Sequence, residues 1–213
     1  MEIDDDLVLW SAPADERADR PLLLVLHGHG LDESVGFDLR HRLPPSLVLA
    51  APRGPLPARG GYGWFALDAT FGFDQIQASV DAVLSWLDRQ SGYRSVGVLG
   101  FSQGSAVAVQ CLRARPTAFA YAVLLSGFLS PLPASGDSEL VRLRPPVFSG
   151  RGDCDTLVPD VLCQLTDRWL DVHAEVTRRV YAGLGHQVSR DELTDVAAFL
   201  DRYASVPDRH LPV

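Results

Sequence analysis

Apolar runs of strand length recur along this chain: LVLW (7–10), PLLLVLHG (21–28), SLVLAAP (46–52), SVGVLG (95–100), YAVLLSG (121–127), PPVFSG (145–150) and EVTRRVY (175–181). Several are continuously apolar. Successive side chains of a strand point to opposite faces of its sheet, so such a strand must be covered on both sides. A mostly parallel sheet flanked by helices meets that demand. Helical patterns fill the intervals. In FDQIQASVDAVLSWLDRQ (73–90), the residues Ile76, Val80, Val83, Leu84 and Leu87 fall on one face, and Asp74 is placed to cap the start. SQGSAVAVQCLRA (102–114), LVPDVLCQLTDRWLDVHA (157–174) and SRDELTDVAAFLDRY (189–203) also read as helices, the last opened by a Ser189-x-x-Glu192 capping box. The alternation predicts an α/β fold with right-handed crossovers. With no internal repeat or low-complexity linker, one domain is expected over 1–213. The Gly-, Pro- and Ser-rich stretches 53–64 and 130–139 read as its surface loops, and 206–213 as an extended tail.

Bulk properties narrow the function. Of 213 residues, 46% are hydrophobic and 22% charged, a soluble-protein balance, and the net charge is −8. An acidic chain with no basic run argues against a nucleic-acid groove or an anionic-membrane patch. The acidic start MEIDDDLVLW does not resemble a secretory signal, and no apolar run approaches the roughly 20 residues that span a bilayer. The three cysteines, Cys111, Cys154 and Cys163, suggest neither a disulfide framework nor a zinc motif. A cytoplasmic protein with free thiols and no cofactor is expected.

The stretch VGVLGFSQGSAVAV (96–109) carries the chemistry. A buried strand ends in G-x-S-x-G and a helix follows. In that context the serine sits on a sharp turn, with Gly100 and Gly104 where a Cβ would clash, and its hydroxyl stands at the C-terminal edge of the sheet. A serine hydroxyl needs a base, and the base needs an orienting acid. His186 follows the EVTRRVY strand in GLGHQVSRDEL; His173 lies in a helical stretch and His210 in the tail. For the acid, the loop GRGDCDTLVP (150–159) offers both Asp153 and Asp155, and chemistry alone does not choose. Between them, Cys154 is flanked by carboxylates that raise a thiol's pKa, which disfavours it as a nucleophile.

An acyl-transfer oxyanion needs two preset donors. The backbone N–H of Gln103, next after Ser102, is one candidate. The N–H of His29, in the glycine-containing loop LHGHGLDES (26–34), is the other. His27 and His29 as a metal pair lack an obvious third ligand, so no metal is expected.

These blocks together resemble the phospholipase/carboxylesterase family of α/β hydrolases, which includes the acyl-protein thioesterases. The resemblance runs from about residue 21 to 203: LHGHG, APRGP (51–55) with GWF (63–65), GFSQG (100–104), LSGFL (125–129), GDCDTLVP (152–159) and GLGHQVSRDEL. It implies an α/β-hydrolase fold without a large lid domain. It also implies that Asp155, in G-x-x-D-x-x-V-P, is the acid of a Ser102–Asp155–His186 triad. The implied substrates are small-molecule esters or acylated compounds, with thioesters as a variant, and homodimers occur among relatives. His29, Leu31, Gly60, Gly61, Phe71 and Phe73 depart from the family pattern or lie in a loop of individual make-up, which bears on substrate choice. Trp64, Phe65 and Leu157 are expected in the apolar pocket or on its rim. The rival readings are a hydrolase of amides or lactones, and a catalytically silent binding protein on the same scaffold.

Overall fold

The computed structural model describes residues 1–67 and 72–204; Phe71 and the tail 206–213 lie outside them. The strands are β1 (Val8–Trp10), β2 (Leu22–Leu26), β3 (Val48–Pro52), β4 (Leu56–Ala58), β5 (Gly61–Gly63), β6 (Val96–Phe101), β7 (Tyr121–Leu125), β8 (Pro146–Gly152) and β9 (Glu175–Tyr181). Seven of them form one sheet in the order β1-β3-β2-β6-β7-β8-β9. β1 pairs antiparallel to β3, and the remaining neighbours are parallel. The helices are α1 (Glu33–Asp38), α2 (Ile76–Asp88), α3 (Gln103–Ala114), α4 (Asp137–Leu143), α5 (Asp160–His173) and α6 (Arg190–Tyr203).

The apolar strands do what their composition demands. Leu22, Leu24 and Leu26 of β2 join one core with Val80 and Val83 of α2, Ala106 and Val107 of α3, and Leu170 of α5. Leu23 and Val25, alternating with them, join a second core on the opposite face with Val196, Phe199 and Leu200 of α6. All five side chains of β2 are buried. Each such side chain contributes about 1.5–3 kcal/mol when removed from water, so neither face tolerates a polar replacement cheaply.

The two Gly- and Pro-rich stretches are less featureless than their composition suggests. Within 53–64, β4 and β5 pair as a separate antiparallel ribbon, Leu56 opposite Gly63. Past 130–136 the chain turns into α4, whose Leu140 is buried. Asp74 does not cap α2: that helix begins at Ile76 with Gln75 in the cap position. The capping box at 189–192 forms in part, with Ser189 Oγ accepting the Glu192 N–H at 3.1 Å. Because the core strands run parallel, the segments after β2, β6, β8 and β9 emerge at the same C-terminal edge, and these are the segments that carry the polar motifs.

Candidate active site

Ser102 links β6 to α3 with φ 54° and ψ −118°, a left-handed conformation that costs a non-glycine residue about 1–3 kcal/mol. The neighbours impose it. A Cβ on Gly100 would lie 2.3 Å from the Gly104 carbonyl oxygen, and one on Gly104 would lie 2.2 Å from that of Leu26. β6, α3 and the end of β2 therefore approach at backbone distance. The Ser102 N–H is taken by the Leu125 carbonyl at 2.9 Å, which ties the turn to β7.

The loops after β8 and β9 bring two further groups to this hydroxyl. His186 Nε2 lies 2.8 Å from Ser102 Oγ, and His186 Nδ1 lies 2.7 Å from Asp155 Oδ2. The other Asp155 oxygen accepts the N–H groups of Leu157 at 3.0 Å and Val158 at 3.4 Å. Asp155 and His186 side chains are only 6% and 13% exposed, so this chain of hydrogen bonds is shielded from bulk water. Asp153 faces elsewhere: its Oδ1 accepts the Gly183 N–H at 2.7 Å, bracing the loop that leads to His186. The phenyl ring of Phe101 lies against the imidazole of His186, centroids 5.1 Å apart.

The loop after β2 is cross-braced by side chains whose bracing role the sequence did not reveal. Gln103 is buried. Its side-chain carbonyl accepts the Trp64 N–H at 2.8 Å, and its amide donates to the Phe65 carbonyl at 2.6 Å. Trp64 Nε1–H donates to the His27 carbonyl at 2.8 Å. Its own carbonyl accepts from Ser79 Oγ of α2. His27 is buried, and both ring nitrogens engage backbone, Nε2 with the Gly54 N–H and Nδ1 with the Gly28 carbonyl. That leaves no free lone pair for a metal. Burial pushes the His27 pKa down and keeps the ring neutral. Among the described residues, no carbonyl takes the His29 N–H, whereas Gly30 and Leu31 donate to Tyr62 and Gly28. Gln103 opens α3, where an N–H has no intrahelical acceptor.

The expected pocket residues separate. Trp64 and Phe65, expected at a pocket or rim, are 0% and 1% exposed and pack in the core. The physical reason is the brace just described: both peptide groups are tied inward to Gln103, and the rings follow them in. Leu157 is 67% exposed, two residues beyond Asp155, with exposed Val161 one helical turn further on. The thiol of Cys154 is held high by its hydrogen bond to the Asp153 carboxylate, and that of buried Cys111 higher still by desolvation. A small recess lined by none of Ser102, Asp155 and His186 lies between α3, β7, β8 and α5, with Ser105, Phe128, Gly150 and Cys163 in its wall.

A family model described as phospholipase/carboxylesterase matches residues 13–204. The chain belongs to the phospholipase/carboxylesterase family. Acyl-protein thioesterase 1 of Saccharomyces cerevisiae is 29% identical, the match covering 87% of this chain and 94% of that protein. Among solved structures, Zea mays acyl-protein thioesterase 2 superposes with a TM-score of 0.76 at 20% identity, covering 92% of this chain and 97% of the other. The Bacillus cereus carboxylesterase gives 0.75 at 19% identity, covering 92% and 93%. These structural likenesses establish the α/β-hydrolase fold. Family membership makes the protein a serine hydrolase of the esterase and thioesterase type. Among the described residues, no helix is long and apolar enough to cross a membrane.

Proposed function

We propose that this protein hydrolyses carboxylic esters, or thioesters, of small or acyl-chain substrates through Ser102, His186 and Asp155. The observation that carries the reading is the unbroken hydrogen-bonded chain from Asp155 Oδ2 through His186 to Ser102 Oγ, at the strained turn after β6. Ser102 Oγ attacks the acyl carbonyl while His186 Nε2 takes its proton. Asp155 fixes the tautomer and stabilises the imidazolium. The N–H groups of Gln103 and His29 receive the oxyanion. Collapse of the tetrahedral intermediate expels the alcohol or thiol, which takes the proton from His186. A water molecule, activated by the same imidazole, then cleaves the acyl-enzyme. The residues supply nucleophile, base and oxyanion donors themselves, and no step calls on a metal or cofactor. Leu157 and Val161 offer exposed apolar surface beside the acid for the substrate's apolar part.

A p-nitrophenyl ester series from acetyl to lauroyl tests this, run alongside a matched thioester. Ser102→Ala should abolish turnover, a loss on the order of 10⁶-fold in comparable triads, and should block labelling by a fluorophosphonate. Wild-type rates in that variant would overturn the assignment.

A further inference from the structure

His27 touches none of the three residues assigned to the triad, yet it stands two residues before the donor at His29. Its Nε2 accepts the Gly54 N–H at 2.9 Å. A neutral imidazole nitrogen that accepts carries no proton, so the proton is on Nδ1. Nδ1–H therefore donates to the Gly28 carbonyl at 2.8 Å. The same oxygen also receives the Leu31 N–H at 3.3 Å, so both of its lone pairs are held. That oxygen belongs to the peptide unit joining Gly28 to His29. The unit is planar and trans, so its C=O and N–H point in opposite directions. Clamping the Gly28 oxygen fixes the direction of the His29 N–H, in a unit that glycine would otherwise leave free to turn.

We propose that His27, held as the Nδ1–H tautomer by Gly54, is the positioning residue that aims the His29 N–H at the reacting carbonyl. The proposal rests on the serine-hydrolase reading of the site. Its surroundings suit the task. The ring is buried against Trp64, centroids 5.2 Å apart, and the His27 carbonyl is pinned by the Trp64 indole, so the residue is anchored at both ends.

Side-chain amides divide the two functions of the ring. In His27→Asn the amide nitrogen falls near the Nδ1 position and can donate to Gly28. In His27→Gln the longer chain reaches the Nε2 position and can accept from Gly54. The measurement is kcat and KM for p-nitrophenyl acetate in wild type, His27→Ala, His27→Asn, His27→Gln and Ser102→Ala, with thermal unfolding of each. One mis-aimed oxyanion donor costs about 10²-fold in kcat. The expected result is that loss in His27→Ala with KM little changed, at least a tenfold recovery in His27→Asn, and none in His27→Gln. If His27→Ala does not fold, the ratio of the other two decides. Recovery in His27→Gln instead of His27→Asn, or a loss carried by KM, would overturn the role of His27 alone. Full turnover in Ser102→Ala would overturn the reading of the site and this role with it.

Discussion

On the side of Ser102 proposed to receive the oxyanion, the anchoring side chains His27, Trp64 and Gln103 are buried, and each bonds to backbone of another segment. On the histidine side the site hangs from loops that follow β8 and β9, and β9 is the outermost strand of the sheet. There Arg178 pairs with Asp167 and Asp171 at partly exposed positions, where an ion pair is worth about 0–1 kcal/mol. The difference suits the work proposed for each side. Oxyanion donors stabilise developing charge only if they are already in place, so their segment is braced through the core. In the proposed reaction His186 takes a proton and returns it, so it needs a fixed tautomer and a hydrogen-bonded partner more than a rigid bed.

Replacing the acid is the largest way to break this contrast. Asp155→Asn should lower kcat by about 10⁴-fold, because the imidazole is then offered the wrong tautomer. Asp153→Asn should cost only a few-fold, since it touches the Gly183 N–H and not the ring. Steady-state kinetics of the pair checks the assignment, and the reverse ranking would move the acid to Asp153. Next comes the brace. Gln103→Ala keeps the backbone N–H of residue 103 but strands the Trp64 N–H and the Phe65 carbonyl, at about 1–3 kcal/mol for each. Urea unfolding should show about 3 kcal/mol lost, with kcat down about tenfold; unchanged stability would mean the brace is ornamental.

The smallest effect sharpens the comparison through pH. Glu192, at the start of α6, is fully buried with neither carboxylate oxygen in a well-formed hydrogen bond, and Gly150 of β8 lies directly against it. Burial pushes its pKa up to about 7, against the Ser189 backbone N–H, which lowers it, and with the nearby Asp195 adding to the rise. The folded chain thus holds a proton that the unfolded chain releases above about pH 4.5, and stability falls as pH rises through that window. His27 acts oppositely: its lowered pKa means the unfolded chain gains a proton below about pH 6.5 first, so stability falls as pH drops. Glu192→Gln should remove roughly 2 kcal/mol of the decline between about pH 5 and pH 7, measured by urea unfolding. An unaltered slope in the variant would show that Glu192 does not titrate there.

Much of this was legible in the residues. The continuously apolar runs located the sheet because burial on both faces leaves a pattern with no polar positions to confuse it. The order of Ser102, the acid loop and His186, each just past a strand, pointed to the edge where the structure brings them together. What escaped was tertiary in origin. Asp153 and Asp155 are chemically identical, so the family resemblance and not residue chemistry pointed to Asp155, and the path of the loop sends it to His186 and Asp153 to Gly183. Trp64 and Phe65 suit a pocket as well as a core until the Gln103 amide is seen drawing their backbone inward. The β4–β5 ribbon and α1 are too short to leave a periodic trace. His27 stood out only as half of a His-x-His pair, and its two backbone partners lie one and 27 residues away.

The backbone at Ser102 has a consequence for how this chain can change. Its φ of 54° is one that glycine adopts without penalty and serine does not. Folding alone would therefore favour glycine at the position proposed to carry the nucleophilic hydroxyl. In the proposed reaction the chemistry alone holds serine there, against the preference of the backbone.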